Sequence, residues 1–264
     1  MPEVTAKEVA ALRQATGAGI LDCRRALQEN GGDMGKATRW LREQGLSGAS
    51  KRADRDRSEG AVAVIVDGSR GAVIALECET DFVAKSADFV SLVDALAESC
   101  AKDGEAGIES HAGEIDQIKL ALKENIAVGR HEQFVATEGA VLDSYLHVQN
   151  GRGVNGVLVE LDGGTPQLAH DIAVHIAFAR PDYLDRSQVP ESAIEQEKET
   201  IAAIARKEGK PEAQLGKIID GRLNGWFKER VLLEQPFARD EKKTISQLLG
   251  SAKIARFAQV VVGA

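Results

Sequence analysis

A short segment occurs twice in this chain. Ser58-Glu59-Gly60-Ala61-Val62 returns as Thr137-Glu138-Gly139-Ala140-Val141, 79 residues later, and the elements expected after each copy come in the same order. After the first copy, alternation predicts a strand over 61–66, a turn at Asp67-Gly68, a strand over 72–79, and a helix from about Ser86 carrying Phe89, Val93, Leu96 and Cys100. After the second come a strand over 141–148, a glycine-rich turn at Asn150-Gly151-Arg152-Gly153, a strand over 156–161, and a helix carrying Leu168, Ile172, Ile176 and Ala179. Strands this close in sequence join as hairpins, so the repeat predicts an α+β core of antiparallel sheets covered by helices. A parallel nucleotide-binding sheet does not fit the pattern.

Other segments flank and interrupt the duplication. Residues 1–50 read as three short helices. The first is capped by Thr5 with Glu8 reaching back, the second ends at Asn30-Gly31-Gly32, and the third is capped by Asp33, carries Ala37, Trp40 and Leu41, and stops near Gly45. Lys51-Arg52-Ala53-Asp54-Arg55-Asp56-Arg57 follows as a solvated linker, its basic residues interleaved with aspartates. From Pro190 to about Lys228, two amphipathic segments flank Gly209-Lys210-Pro211, which predicts a projecting antiparallel helical hairpin. A final strand candidate over 254–262 returns to the core sheet. The expected division is thus a module (1–50), a linker (51–57), a first core subdomain (58–136), a second (137–187 with 229–264) and the hairpin (188–228).

At 264 residues, 43% hydrophobic and 28% charged, the chain has the composition of a globular protein with two or three domains. No apolar run approaches the ~20 residues that span a bilayer. The N-terminus lacks the basic segment and apolar stretch of a secretory signal, which points to the cytoplasm. A net charge of −8 disfavours direct binding to nucleic-acid phosphate. Cys23, Cys78 and Cys100 are odd in number, far apart and never in a C-x-x-C pattern, so buried free thiols are expected, with no disulfide framework or zinc site. No phosphate-cradling P-loop occurs, and any effect on nucleotide must be indirect. Of the histidines, His170 and His175 are misaligned for joint ligation, and His175 reads as a satisfied core residue. His147, beside the glycine-rich turn, is more open to a contact role.

The sharpest local feature is Glu77-Cys78-Glu79-Thr80-Asp81-Phe82-Val83-Ala84-Lys85-Ser86, which leads from a strand toward a helix. If the strand continues through it, Glu77, Glu79 and Asp81 share one face, where they could bind a hard cation, do acid–base chemistry or simply line a solvated edge. Alternatively Phe82, in a chain with 4% aromatics, is a loop aromatic that anchors a partner, or it tucks into the local core.

Resemblance adds to this reading. The run Leu12-Arg13-Gln14-Ala15-Thr16-Gly17-Ala18-Gly19-Ile20-Leu21-Asp22-Cys23-Arg24-Arg25-Ala26-Leu27 resembles the first signature of the elongation factor Ts family, and Glu79-Thr80-Asp81-Phe82-Val83-Ala84-Lys85 resembles the second. Gly209-Lys210-Pro211-Glu212 and Leu233-Glu234-Gln235-Pro236-Phe237 extend the likeness over essentially the whole chain. Arg24 stands where the family usually has lysine, and Ala75-Leu76-Glu77 replaces a usual Glu-Val-Asn. The chain ends at Ala264 without the helical extension some members carry, so that extension's contacts are expected to be absent or replaced. The resemblance implies a UBA-like N-terminal module, a duplicated antiparallel sheet-and-helix core and an inserted helical hairpin. It also implies a non-catalytic guanine-nucleotide exchange factor, needing no cofactor or metal, that binds GDP-loaded elongation factor Tu. Leu12, Arg13, Ile20 and Leu21 would contact the partner's G domain, His147 would lean on another domain, and Thr80, Asp81, Phe82 and Val83 would disturb the Mg²⁺ and phosphate site. A homodimer is left open.

Overall fold

The computed structural model describes residues 4–50 and 54–263, with the helical backbone alone over 46–50. The chain begins with helices α1 (Ala6–Thr16), α2 (Ile20–Glu29) and α3 (Met34–Ser50). Thr5 and Glu8 form a complete capping box on α1, and Gly17 ends that helix in the left-handed region at φ 67°. At the head of α3, Asp33 Oδ1 accepts the Lys36 N–H at 2.9 Å. Val9, Leu12, Cys23, Leu27, Ala37 and Leu41 close a small core between the three helices.

The first half of the duplication comprises β1 (Glu59–Asp67), β2 (Arg70–Cys78), α4 (Asp81–Ala84), α5 (Ala87–Asp103), α6 (Glu105–Ser110), α7 (Ala112–Leu122) and β3 (Ala127–Val135). Strands β1 and β2 pair antiparallel from Glu59↔Cys78 to Asp67↔Arg70 around a two-residue turn. Gly68 takes φ 57° there, the positive-φ position that hairpin turns reserve for glycine. The sheet order is β1-β2-β3. Ile74 and Leu76 from β2 pack with Phe89, Val93, Leu96 and Cys100 from α5, the side chains expected to face the core.

One helix boundary differs from expectation. α3 does not stop at Gly45 but continues to Ser50. Gly45 is a crossing point: a Cβ there would lie 2.1 Å from Leu120 Cδ1 on α7, so the missing side chain permits close approach of two helices.

The second half holds β4 (Val141–Gln149), β5 (Arg152–Asp162), α8 (Pro166–Ala179), α9 (Glu191–Lys207), α10 (Leu215–Arg230), β6 (Pro236–Phe237), β7 (Asp240–Thr244), α11 (Ile245–Leu249) and β8 (Lys253–Val261). Its larger sheet runs β4-β5-β8, while β6 and β7 form a small antiparallel pair. Val157, Val159 and Leu161 of β5 meet Ile172 and Ile176 of α8 in a second core. The repeat is faithful in element order but not at its leading segment. Gly60 lies inside β1, whereas Gly139 sits in a turn at φ 82°, where the Thr137 N–H donates to the buried Glu160 carboxylate at 2.9 Å.

Helices α9 and α10 form the expected hairpin around Gly209, with Ile201, Leu223 and Phe227 in their seam. At its base, Arg186 pairs with Glu234 and stacks 4.2 Å from the centroid of the Phe227 ring. The chain forms two compact units. The first runs to Phe134 and includes Leu146–Gly156 and the residues from Val260 onward, and the second comprises Val135–Tyr145 and Val157–Gln259. No described helix is long and apolar enough to cross a membrane. Cys23, Cys78 and Cys100 are all buried and free.

Candidate functional site

Strand β2 ends at Cys78, and the chain turns at once into the single-turn helix α4. Thr80 makes that turn as an N-cap, extended at φ −127° and ψ 150°, with its hydroxyl accepting the Val83 N–H at 3.4 Å. The turn has an inside and an outside. Val83 and Ala84 are buried in the first core, while Phe82 is 75% exposed. Of the two sequence readings of Phe82, packing into the local core is therefore the one the structure overturns. Lys85 holds the outer side together: its Nζ lies 2.8 Å from Asp81 Oδ2 and 4.7 Å from the centroid of the Phe82 ring. The Lys85 hydrogen bond keeps the Asp81 carboxyl below the usual carboxylate range.

The carboxylates do not form a cluster. With the strand finished at Cys78, Glu77, Glu79 and Asp81 no longer alternate on one face, and each has its own partner. Glu77 pairs with Arg57 at 3.3 Å, Glu79 pairs with Arg55 at 3.3 Å and accepts the Asn125 N–H at 2.6 Å, and Asp81 pairs with Lys85. Among the described residues no group of three or more His, Cys, Asp or Glu side chains is placed to hold a metal ion. Arg55 and Arg57, read from the sequence as solvated linker, are thus used to neutralise the acidic turn. Lys51, Arg52 and Ala53 of that linker lie outside the described residues.

Beneath the turn, the Cys78 thiol donates to the Thr80 carbonyl at 3.3 Å. Burial, reinforced by the nearby Glu124 carboxylate, pushes this thiol up to about 12. Glu124 itself reaches the turn from beyond α7. Its Oε2 accepts the N–H groups of Glu79 and Thr80 at 3.0 and 3.2 Å, and its Oε1 accepts the Thr80 hydroxyl. No sequence signal marks this residue, because the contact joins positions 44 and 45 residues apart.

The second set of candidate residues lies on the N-terminal helices. Ile20 and Leu21 open α2 and are 54% and 79% exposed, an unusual placement for two adjacent aliphatic residues. Arg13 is also exposed, on α1. It lines an open groove with Val9, Ile20, Arg24, Ala121 and Leu122. Leu12 corrects the sequence-based expectation. It has no exposed surface and packs into the module core, so it offers nothing to a partner.

Two adjacent residues tie the sets together. Lys123 pairs with Asp22 of α2 at 2.6 Å, and Glu124 grips the Thr80 turn. His147 is exposed on β4, and no hydrogen bond or ion pair among the described residues joins it to either set. His175, by contrast, is the core residue expected. Its Nδ1 accepts the Ala238 N–H at 3.2 Å, which leaves Nε2 to donate to Gln235 Oε1 at 3.0 Å.

A family model described as elongation factor TS matches residues 79–264. Over the full length of both chains, the sequence is 42% identical to elongation factor Ts of Kineococcus radiotolerans and 40% identical to that of Streptomyces coelicolor. It is also 40% identical to elongation factor Ts of Thermobifida fusca, covering 100% of this chain and 99% of the relative.

Proposed function

The chain belongs to the elongation factor Ts family of translation elongation factors, and from that premise we propose that it is the exchange factor that binds GDP-loaded elongation factor Tu and drives GDP out. It makes and breaks no bond. Arg13, Ile20 and Leu21 meet the partner's G domain, His147 leans on another domain, and the Thr80–Val83 turn reaches the Mg²⁺ and phosphate site. The observation that carries this reading is Phe82. An aromatic ring held 75% exposed on a turn whose next two residues are buried has the build of a wedge that rests on a rigid core.

The physics is linkage. Binding energy gained where the turn enters the partner is set against the nucleotide, so each ligand weakens the other by the same factor in a transient ternary complex. Asp81 acts beside the wedge as a fixed negative charge brought near a bound cation, whose own charge dominates the local field. The test is release of a fluorescent GDP from purified elongation factor Tu, followed with and without this chain. Acceleration that saturates with added chain supports the reading, and an identical rate in both samples rejects it.

A further inference from the structure

We propose that Glu124 is the positioning residue of the Thr80–Val83 turn, the group that sets the direction in which Phe82 and Asp81 project. The inference rests on the reading of that turn as the part that acts on the partner. Phe82 is 75% exposed, so the core does not fix its direction through the ring itself. The ring is aimed by the backbone at the root of α4, and that root is where Glu124 binds.

The geometry is specific. Lys123 closes α7 in the left-handed conformation, φ 58° and ψ 30°, with its N–H on the Lys119 carbonyl, and this reversal delivers the next side chain to the 79–80 backbone. Glu124 then accepts two backbone N–H groups and one hydroxyl, all at the same turn. Its hold on the hydroxyl also sets the cap. Thr80 gives its proton to Glu124, which leaves oxygen lone pairs for the Val83 N–H, the bond that starts α4. The grip is reciprocal, since Glu79 Oε1 accepts the Asn125 N–H at 2.6 Å while Glu124 accepts the Glu79 N–H. Asn125 in turn donates from its side chain to the Arg55 carbonyl at 2.7 Å. Three donors converging on one carboxylate are charge-assisted and match its acceptor geometry, whereas an amide of the same shape would turn an NH₂ toward one of them.

The decisive variant is Glu124→Gln. We expect the maximal rate of stimulated GDP release to fall about tenfold, the loss expected of a charge-assisted hydrogen bond. The concentration giving half-maximal stimulation should stay within about twofold, because Arg13, Ile20 and Leu21 are untouched. In a chain carrying both Phe82→Ala and Asp81→Ala, Glu124→Gln should add little further loss, since a residue that acts through those two side chains has nothing left to aim. Amide hydrogen exchange of the free chain gives a readout independent of the partner. Protection should fall at Glu79–Lys85 and persist along β1 and β2. Thr80→Ala, which removes only the hydroxyl contact and its cap, should show an intermediate loss and serves if Glu124→Gln fails to fold. A near-normal maximal rate with unchanged protection at the turn overturns the proposal, as does an equal loss with and without the Phe82 and Asp81 side chains. If the unmodified chain fails to stimulate release, the proposed function falls, and the exchange protection at the turn still decides whether Glu124 positions it.

Discussion

An aromatic ring kept in solvent at Phe82 and an imidazole sealed inside a core at His175 both run against side-chain chemistry, and both yield tests. Replacing Phe82 with alanine should lower the stability of the free protein by no more than about 1 kcal/mol, as at other exposed sites. A core phenylalanine would cost ~3–5 kcal/mol. Stimulated GDP release should nevertheless slow markedly, even at saturating factor. Urea unfolding beside stopped-flow release separates the roles, and a large stability loss with normal exchange by the folded fraction would return Phe82 to the core. His175 is buried, and burial holds its pKa below the ordinary 6.5. Protonation would point an Nδ1–H at the Ala238 N–H that Nδ1 now accepts. The folded pKa lies below the unfolded one, so stability is full above the unfolded value and declines as pH falls from about 6.5 toward the folded value. Chemical denaturation of the wild type and His175→Gln between about pH 7.5 and 5 should show a shallower decline in the variant. Equal slopes would assign the acid sensitivity elsewhere.

At the scale of elements, the legible parts are those whose physics is local. Capping at Thr5 and Asp33, the Gly68 and Asn150-Gly151 turns, and the apolar spacing of α5 and α8 each act within a few residues, and each element formed where it was expected. What the sequence did not reveal depends on distant neighbours. Gly45 looked like a helix end because its true contact, Leu120, lies on another helix. Strand β3 carries Arg130, His131, Glu132 and Gln133 and lacks an apolar alternation, since a strand at the edge of its sheet can tolerate polar residues. The candidate site divides in the same way. Phe82 stood out in the sequence as a loop aromatic, Ile20, Leu21 and the rest of the Thr80–Val83 turn were assigned through resemblance, and Leu12 was misassigned because a signature does not say which of its residues face inward. The hairpin gives a third prediction. Its base is anchored by the Arg186–Glu234 pair and by Phe227, but residues beyond Ile201 and Leu223 lie farther out. Replacing the segment between Ala202 and Arg222 with a short glycine linker should leave the unfolding transition of the core and the exchange rate close to wild type. A collapse of exchange in a chain with an intact circular dichroism spectrum would make the hairpin tip functional.

For the whole molecule, the N-terminal module is less detached than a charged linker suggests. Gly17 and Gly45 bring α1 and α3 against Ala121 and Leu120 of α7. Removing residues 1–50 would uncover that apolar face. We expect the remaining chain to fold with a Tm lower by roughly 5 °C and to bind elongation factor Tu much more weakly. Calorimetric unfolding and titration test the two halves of this statement, and unchanged affinity would remove Arg13, Ile20 and Leu21 from the interface. The sheet orders carry a further consequence, for how the protein is made. β1, β2 and β3 all lie within residues 59–135, but β5 must wait some 90 residues for β8 to reach it. At ~5–20 residues per second on a ribosome, that is a delay on the order of ten seconds. Throughout it, a strand buried from Asn155 to Leu161 in the finished protein has one edge with no partner. Slow elongation across the hairpin codons would lengthen that exposure, so this chain's own yield should depend on the speed of the process its family serves.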